Sequence, residues 1–209
     1  RAKKQNKRIQ VFSHRMYQEA IETLAIQRDL PSAIRNQQIK PVFQPIVSCI
    51  TGEIVGFEAL ARWQHAELGA ISPARFIPMA EESNLIVELG EQVLAQSCQF
   101  IQRFNEIRKE QQQPQLSVHV NFSAHHFSSS TLLENLRTTL QESRLPPQHL
   151  VIEITESMLI ERPNESVKRM EQIKQLGVGL ALDDFGTGYS ALNTLCQYPL
   201  DIVKLDRSF

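Results

Sequence analysis

The sequence predicts an α/β fold of the barrel class, on two observations. Short apolar runs alternate with helix-period stretches along most of the chain, and polar residues recur at or near the carboxyl ends of those runs. The runs that read as strands are VFQPIV, IVGFEAL, SVHVN, LVIEIT, VGLALD and DIVKLD. A closed barrel of this class needs eight strands, so the expectation is a TIM-like (β/α) barrel truncated after about six.

The elements follow in order. Basic residues crowd the opening RAKKQNKRIQVF. Met16, Ala20 and Leu24 then recur at helical intervals before Pro31 interrupts the pattern, which predicts a connecting helical segment over 13–37. VFQPIV and IVGFEAL begin the strands and lead into a helix-rich region to about Glu110, where Ile86, Leu89, Val93, Ser97, Phe100 and Phe104 share one face of a long helix. The next three strands are separated by helices. Thr131 with Glu134 has the spacing of a capping box, Asn164 is a candidate cap, and Gly177 supplies a helix stop. The last strand, DIVKLD, is reached after a short segment around Leu192 and Leu195.

At 209 residues and 42% hydrophobic content, the chain suits one packed domain with a connecting segment. Its 22 Lys and Arg against 23 Asp and Glu exclude the overall basic excess that non-specific nucleic-acid binding needs. No DNA or RNA partner is therefore expected, and a phosphate-bearing ligand has to be met by local charge. Cys49, Cys98 and Cys196 show neither a disulfide framework nor zinc-ligand spacing, which points to a reducing, cytoplasmic setting. No apolar run approaches the roughly 20 residues that span a bilayer. The start at Arg1 and the stop at Phe209 suggest a piece of a longer parent, whose other parts could include a membrane anchor.

Strand alternation sorts the polar residues. Every second residue of a strand faces the same side, so Glu58, Leu60 and Arg62 fall together, Glu153 lies opposite Ile152 and Ile154, and Asp183 follows the small Gly179 and Ala181 on one face. Lys204 and Asp206 share a face, and Asn121 closes SVHVN. Such groups converge at the mouth of a barrel. Several carboxylates brought together without compensation would repel and protonate, and binding divalent cations keeps them ionised. Oxygen-only donors favour hard Mg²⁺ or Mn²⁺ over zinc.

From about Gln38 to the end, the chain resembles the EAL family of cyclic di-GMP phosphodiesterases. Glu58-Ala59-Leu60 sits in FEALARW, preceded by Gln44-Pro45-Ile46 and followed in order by VNFSA, IEITES, ALDDFGTGYSAL and VKLDRSF. The opening RAKKQNKRIQVF resembles the end of a GGDEF domain. Residues 1–12 would then be the tail of an upstream GGDEF domain, 13–37 the link, and 38–209 an EAL domain lacking its C-terminal part. The resemblance implies that Glu58, Asn121, Glu153 and Asp183 bind a first metal, with Asp183 bridging to a second ion held partly by Asp184. It further implies that Lys204 assists the attacking water, Arg62 contacts a substrate phosphate, Gln44 and Leu60 line the nucleotide site, and Asp206 supports the cluster. A homodimer is also implied, through the loop after Asp184, where Ala191 replaces a commonly seen Ser. The family's later motifs, including a further metal-site Glu, fall after Phe209, so this piece alone is expected to be inactive. Its open parallel sheet would be aggregation-prone, domain-swapped or completed by further sequence.

Competing readings are weaker. GTGYSA after a strand fits the G-x-G-x-x-A form of a dinucleotide-binding turn, but Asp183 and Asp184 just before it oppose a pyrophosphate unless metals intervene. His125-His126 are expected as surface or loop residues, Trp63 as core, and Glu81-Glu82 as a solvated helix face. Two functions remain: a metal-dependent enzyme opening cyclic di-GMP to the linear dinucleotide, or a non-catalytic cyclic di-GMP receptor or regulatory module. Retention of the expected residue at every metal-site position up to Phe209 favours the enzyme.

Overall fold

A computed structural model describes residues 14–156, 158, 163–186, 198–206 and 208. The basic segment 1–12, Leu192, Leu195, Cys196 and the turn from residue 187 to 191 lie outside the described residues.

Helix α1 (His14–Arg35) leads into β1 (Ile39–Val47), β2 (Ile54–His65) and β3 (Gly69–Ile71). Helices α2 (Pro73–Glu82) and α3 (Ile86–Glu110) then precede β4 (Ser117–Asn121). Short α4 (Ala124–Ser128) and α5 (Leu132–Ser143) lead to β5 (Leu150–Thr155), α6 (Pro163–Gln175), β6 (Gly179–Phe185) and β7 (Ile202–Leu205). All six expected strands form, and β3 is an addition, three residues long and too short to leave a periodic signal. The strand order is β1-β2-β4-β5-β6-β7, with β3 paired to β2. β1 and β3 run antiparallel to β2, and every later neighbour is parallel, in an α/β sheet that is not closed.

Helix α1 runs through Pro31 rather than stopping there. An interior proline costs about 3 kcal/mol. Burial of Ile26, Leu30 and Ile34, each at most 1% exposed, contributes about 1.5–3 kcal/mol apiece and outweighs it. The C-terminal half of α1 is thus part of the core. Thr131 precedes α5 without capping it: its hydroxyl accepts from Asn135 Nδ2 at 3.2 Å and meets Ser129 Oγ at 2.9 Å. Asn164 lies inside the first turn of α6. Gly177, at φ +85°, ends α6 in the left-handed conformation that favours glycine.

The long helix α3 buries Ile86, Leu89, Val93, Leu94, Cys98 and Ile101, while Phe100 stacks on Phe43 at 3.7 Å between ring centroids. At its end, buried Asn105 acts as a surrogate strand. Its Nδ2 donates to Leu116 O at 2.9 Å and its Oδ1 accepts from Leu116 N at 2.8 Å, just before β4 begins. Asn105→Ala leaves two buried backbone groups unpaired, each worth roughly 1–3 kcal/mol. Urea unfolding should show a loss of about 2–6 kcal/mol; a loss under ~0.5 kcal/mol would contradict this role.

Candidate active site

Register places the acids before any side chain is considered. In the ladders, Glu58 stands opposite Gln44 on β1 and His119 on β4, Asn121 opposite Glu153 on β5, and Thr155 opposite Asp183 on β6. Paired residues face the same side of a sheet. Oxygens of Glu58, Glu153 and Asp183 accordingly lie within 4.8 Å of one another. Asn121 Nδ2 donates to Glu58 Oε1 at 2.9 Å.

Lys204 reaches into this group from β7. Its Nζ lies 2.6 Å from Glu153 Oε2 and 3.2 Å from both Glu58 Oε2 and Asp183 Oδ1. The Glu153 side chain is 0% exposed, and its other oxygen, Oε1, lies 2.9 Å from His119 Nδ1. Burial alone would push the Glu153 carboxyl up, but the hydrogen bonds from His119 and Lys204 and their charges outweigh it and hold the group below its usual range. Burial pushes Lys204 down, yet its hydrogen bond to Glu153 and the charges of Glu153, Glu58 and Asp183 leave it above its ordinary value. Beside bare carboxylates, Lys204 keeps its proton.

Asp184 is exposed and sits at φ +53°, outside the tight group of three acids. Burial, reinforced by the charges of Asp183, Asp206 and Glu58 and opposed by Lys204, raises its carboxyl above the ordinary value. Asp206 accepts from Ser208 N at 2.9 Å through Oδ1. Three carboxylates against one ammonium leave the cluster two charges short of neutral, and every carboxylate donor is an oxygen, so the residues fit a hard divalent cation.

Beside the acids lies a mainly apolar cleft of about 450 Å³. Leu60, Arg62 and Asn121 line it together with Ile77, Glu81 and Met158. Leu60 and Arg62, expected to meet substrate, thus share one cleft; Gln44 instead lies on β1, paired in register with Glu58 on β2. Glu81 faces the cleft rather than open solvent, Glu82 is exposed, and Trp63 is buried as expected. His119 escaped notice in the sequence, although the same alternation that selects Asn121 places it two residues earlier on the same face.

His126 departs from the surface position expected of it. His125 is exposed, but His126 is 1% exposed and stacks on Phe122, at 4.0 Å between ring centroids. A methyl group on Gly90 would lie 2.4 Å from His126 Nδ1, so α3 and α4 meet here closely enough to require glycine. Gly90 and Phe122 are also walls of the cleft.

An open, mostly parallel α/β sheet that gathers three acids and a lysine on one face gives a cluster that could hold a metal ion. The chain belongs to the EAL domain family, whose model matches residues 27–209. It is 40% identical over 200 residues to the oxygen sensor protein DosP of Escherichia coli (strain K12), covering 96% of this chain and 24% of that protein. It is 35% identical over 200 residues to the cyclic di-GMP phosphodiesterase NbdA of Pseudomonas aeruginosa (strain ATCC 15692), covering 96% of this chain and 25% of that protein. The solved structure of the PaMucR phosphodiesterase in complex with c-di-GMP is similar at a TM-score of 0.82 and 36% identity, over 88% of this chain and 73% of that one. The chain spans about a quarter of the length of these curated relatives. Among the described residues, no helix is long and apolar enough to cross a membrane.

The buried His126 sets a pH dependence. Burial lowers its pKa from 6.5 to about 4, so the folded state holds it neutral while the unfolded chain protonates it. Its stabilising contribution is full above pH 6.5 and is lost as pH falls toward 4, by on the order of 3 kcal/mol. Urea midpoints measured across this window should fall more steeply for the wild type than for His126→Gln; equal slopes would refute the assignment.

Proposed function

We propose that the domain hydrolyses cyclic di-GMP to the linear dinucleotide, using divalent cations held by Glu58, Asn121, Glu153, Asp183 and Asp184. The carrying observation is the convergence of three carboxylates and Lys204 from β2, β5, β6 and β7. The activity of NbdA and the c-di-GMP in the PaMucR complex support the choice of substrate.

Bound Mg²⁺ or Mn²⁺, as two ions, would stabilise the charge on entering and leaving oxygens of an in-line displacement. Glu58, Glu153 and Asp183 supply the oxygens of the first site, with the Asn121 amide beside Glu58. Asp184, next in sequence to Asp183 and in its electrostatic reach, contributes to the second. Arg62, exposed at the cleft, meets a phosphate, and Leu60 and Gln44 border the nucleotide. Water attacks phosphorus, one P–O ester bond breaks, and the leaving oxygen takes a proton.

Lys204 holds its proton while its neighbours are bare carboxylates. Service as a base to the attacking water requires their charge to be taken up by cations; otherwise it acts as a fixed positive charge on hydroxide or phosphate. Asp206 at the end of β7 supports this group. An upstream GGDEF domain, a homodimer and a cytoplasmic location complete the proposal. The basic opening segment supports the first of these, and the bifunctional relative MucR has 37% identity over 198 residues.

In the natural full-length protein, Glu58→Ala should lower hydrolysis of cyclic di-GMP at least ~100-fold. Chelation should abolish turnover, and added Mg²⁺ or Mn²⁺ should restore it. Hydrolysis by Glu58→Ala at the wild-type rate contradicts the proposal, as does nucleotide binding by the metal-loaded wild type without turnover.

A further inference from the structure

We propose that His119 is a positioning residue for the site, fixing which oxygen of Glu153 faces the cation. The inference rests on the metal-site reading above and concerns a residue to which nothing so far assigns a role. His119 and Asn121 lie two residues apart on β4 and share a face, with His119 flanked in register by Glu58 on β2 and Val151 on β5. Its side chain is 8% exposed, so the ring sits deeper than Asn121, which is exposed at the strand end.

The contact divides the two oxygens of Glu153 between two partners. Oε1 lies 2.9 Å from His119 Nδ1, and Oε2 lies 2.6 Å from Lys204 Nζ, the same nitrogen that meets Glu58 and Asp183. An ionised carboxylate only accepts, so Nδ1 carries the hydrogen and donates it to Oε1. With Oε1 engaged, the carboxylate cannot rotate without breaking a buried hydrogen bond. Oε2 is thereby turned toward the remaining acids. Carboxylates that bind metals are themselves oriented by such outer partners, whose loss costs about 10–100-fold in affinity or activity.

A bland alternative is that His119 merely satisfies a buried acid, and the test separates the two. Mn²⁺ affinity is read by electron paramagnetic resonance in full-length protein without nucleotide, for wild type, His119→Leu and His119→Asn. The asparagine amide can place a donor near the Nδ1 position; leucine cannot. His119→Leu should weaken Mn²⁺ binding about 10–100-fold, and His119→Asn should recover to within about threefold of wild type. Unchanged affinity in His119→Leu overturns the inference, as does equal impairment of a folded His119→Asn. Nitrogen NMR of histidine-labelled wild type is independent of any variant's folding. Hydrogen on Nδ1 of His119 is expected, and an Nε2–H tautomer with bare Nδ1 overturns the proposal. Wild type that binds Mn²⁺ yet turns over no cyclic di-GMP counts against the proposed function alone.

Discussion

The rest of the site depends on keeping one charge buried. Glu153 projects from the middle strand of the parallel sheet with no side-chain exposure, where an ionised carboxylate without partners costs several kcal/mol. Lys204 and His119 answer that cost from opposite sides, one on each oxygen. Lys204 is shared among three carboxylates, so it couples β2, β5, β6 and β7 through a single ammonium. The residual negative charge of the cluster is what a divalent cation would find.

Parallel register is the means by which the backbone delivers these groups. Glu58, His119, Asn121, Glu153 and Asp183 come from four consecutive strands of the sheet, yet the ladders place them on one face within four residues of each other in register. Asn105 fixes the entry of β4, and Gly56 does the same for β2. A side chain on Gly56 would lie 2.6 Å from Ser117 Oγ and 2.9 Å from its carbonyl oxygen, so the strands approach as they do only with glycine there. Packing of α3 against α4 at Gly90 and His126 sets the wall of the neighbouring cleft.

Much of this was legible in the sequence because period-2 alternation is a strong local signal. It located all six main strands and put Glu58, Glu153 and Asp183 on one face before any tertiary information. What it missed was decided by tertiary contact. Pro31 reads as a helix stop locally, but burial of Leu30 and Ile34 carries α1 through it. His126 beside His125 reads as a polar surface pair, and only the glycine on α3 reveals the buried slot that takes its ring. Thr131 has capping spacing, yet its hydroxyl is engaged by Asn135 and Ser129. His119 obeys the same alternation as its neighbours, but no motif marks it.

The proposed site requires Lys204 and a divalent cation to share the task of neutralising the acids around Glu153. Thermal and urea unfolding of Lys204→Met, with and without Mn²⁺, tests it most directly. Removing the ammonium strands a buried charge, so the metal-free variant should lose about 3–5 kcal/mol, and saturating Mn²⁺ should recover most of that loss. A variant as stable as wild type without metal, or one whose deficit Mn²⁺ leaves untouched, would contradict the account.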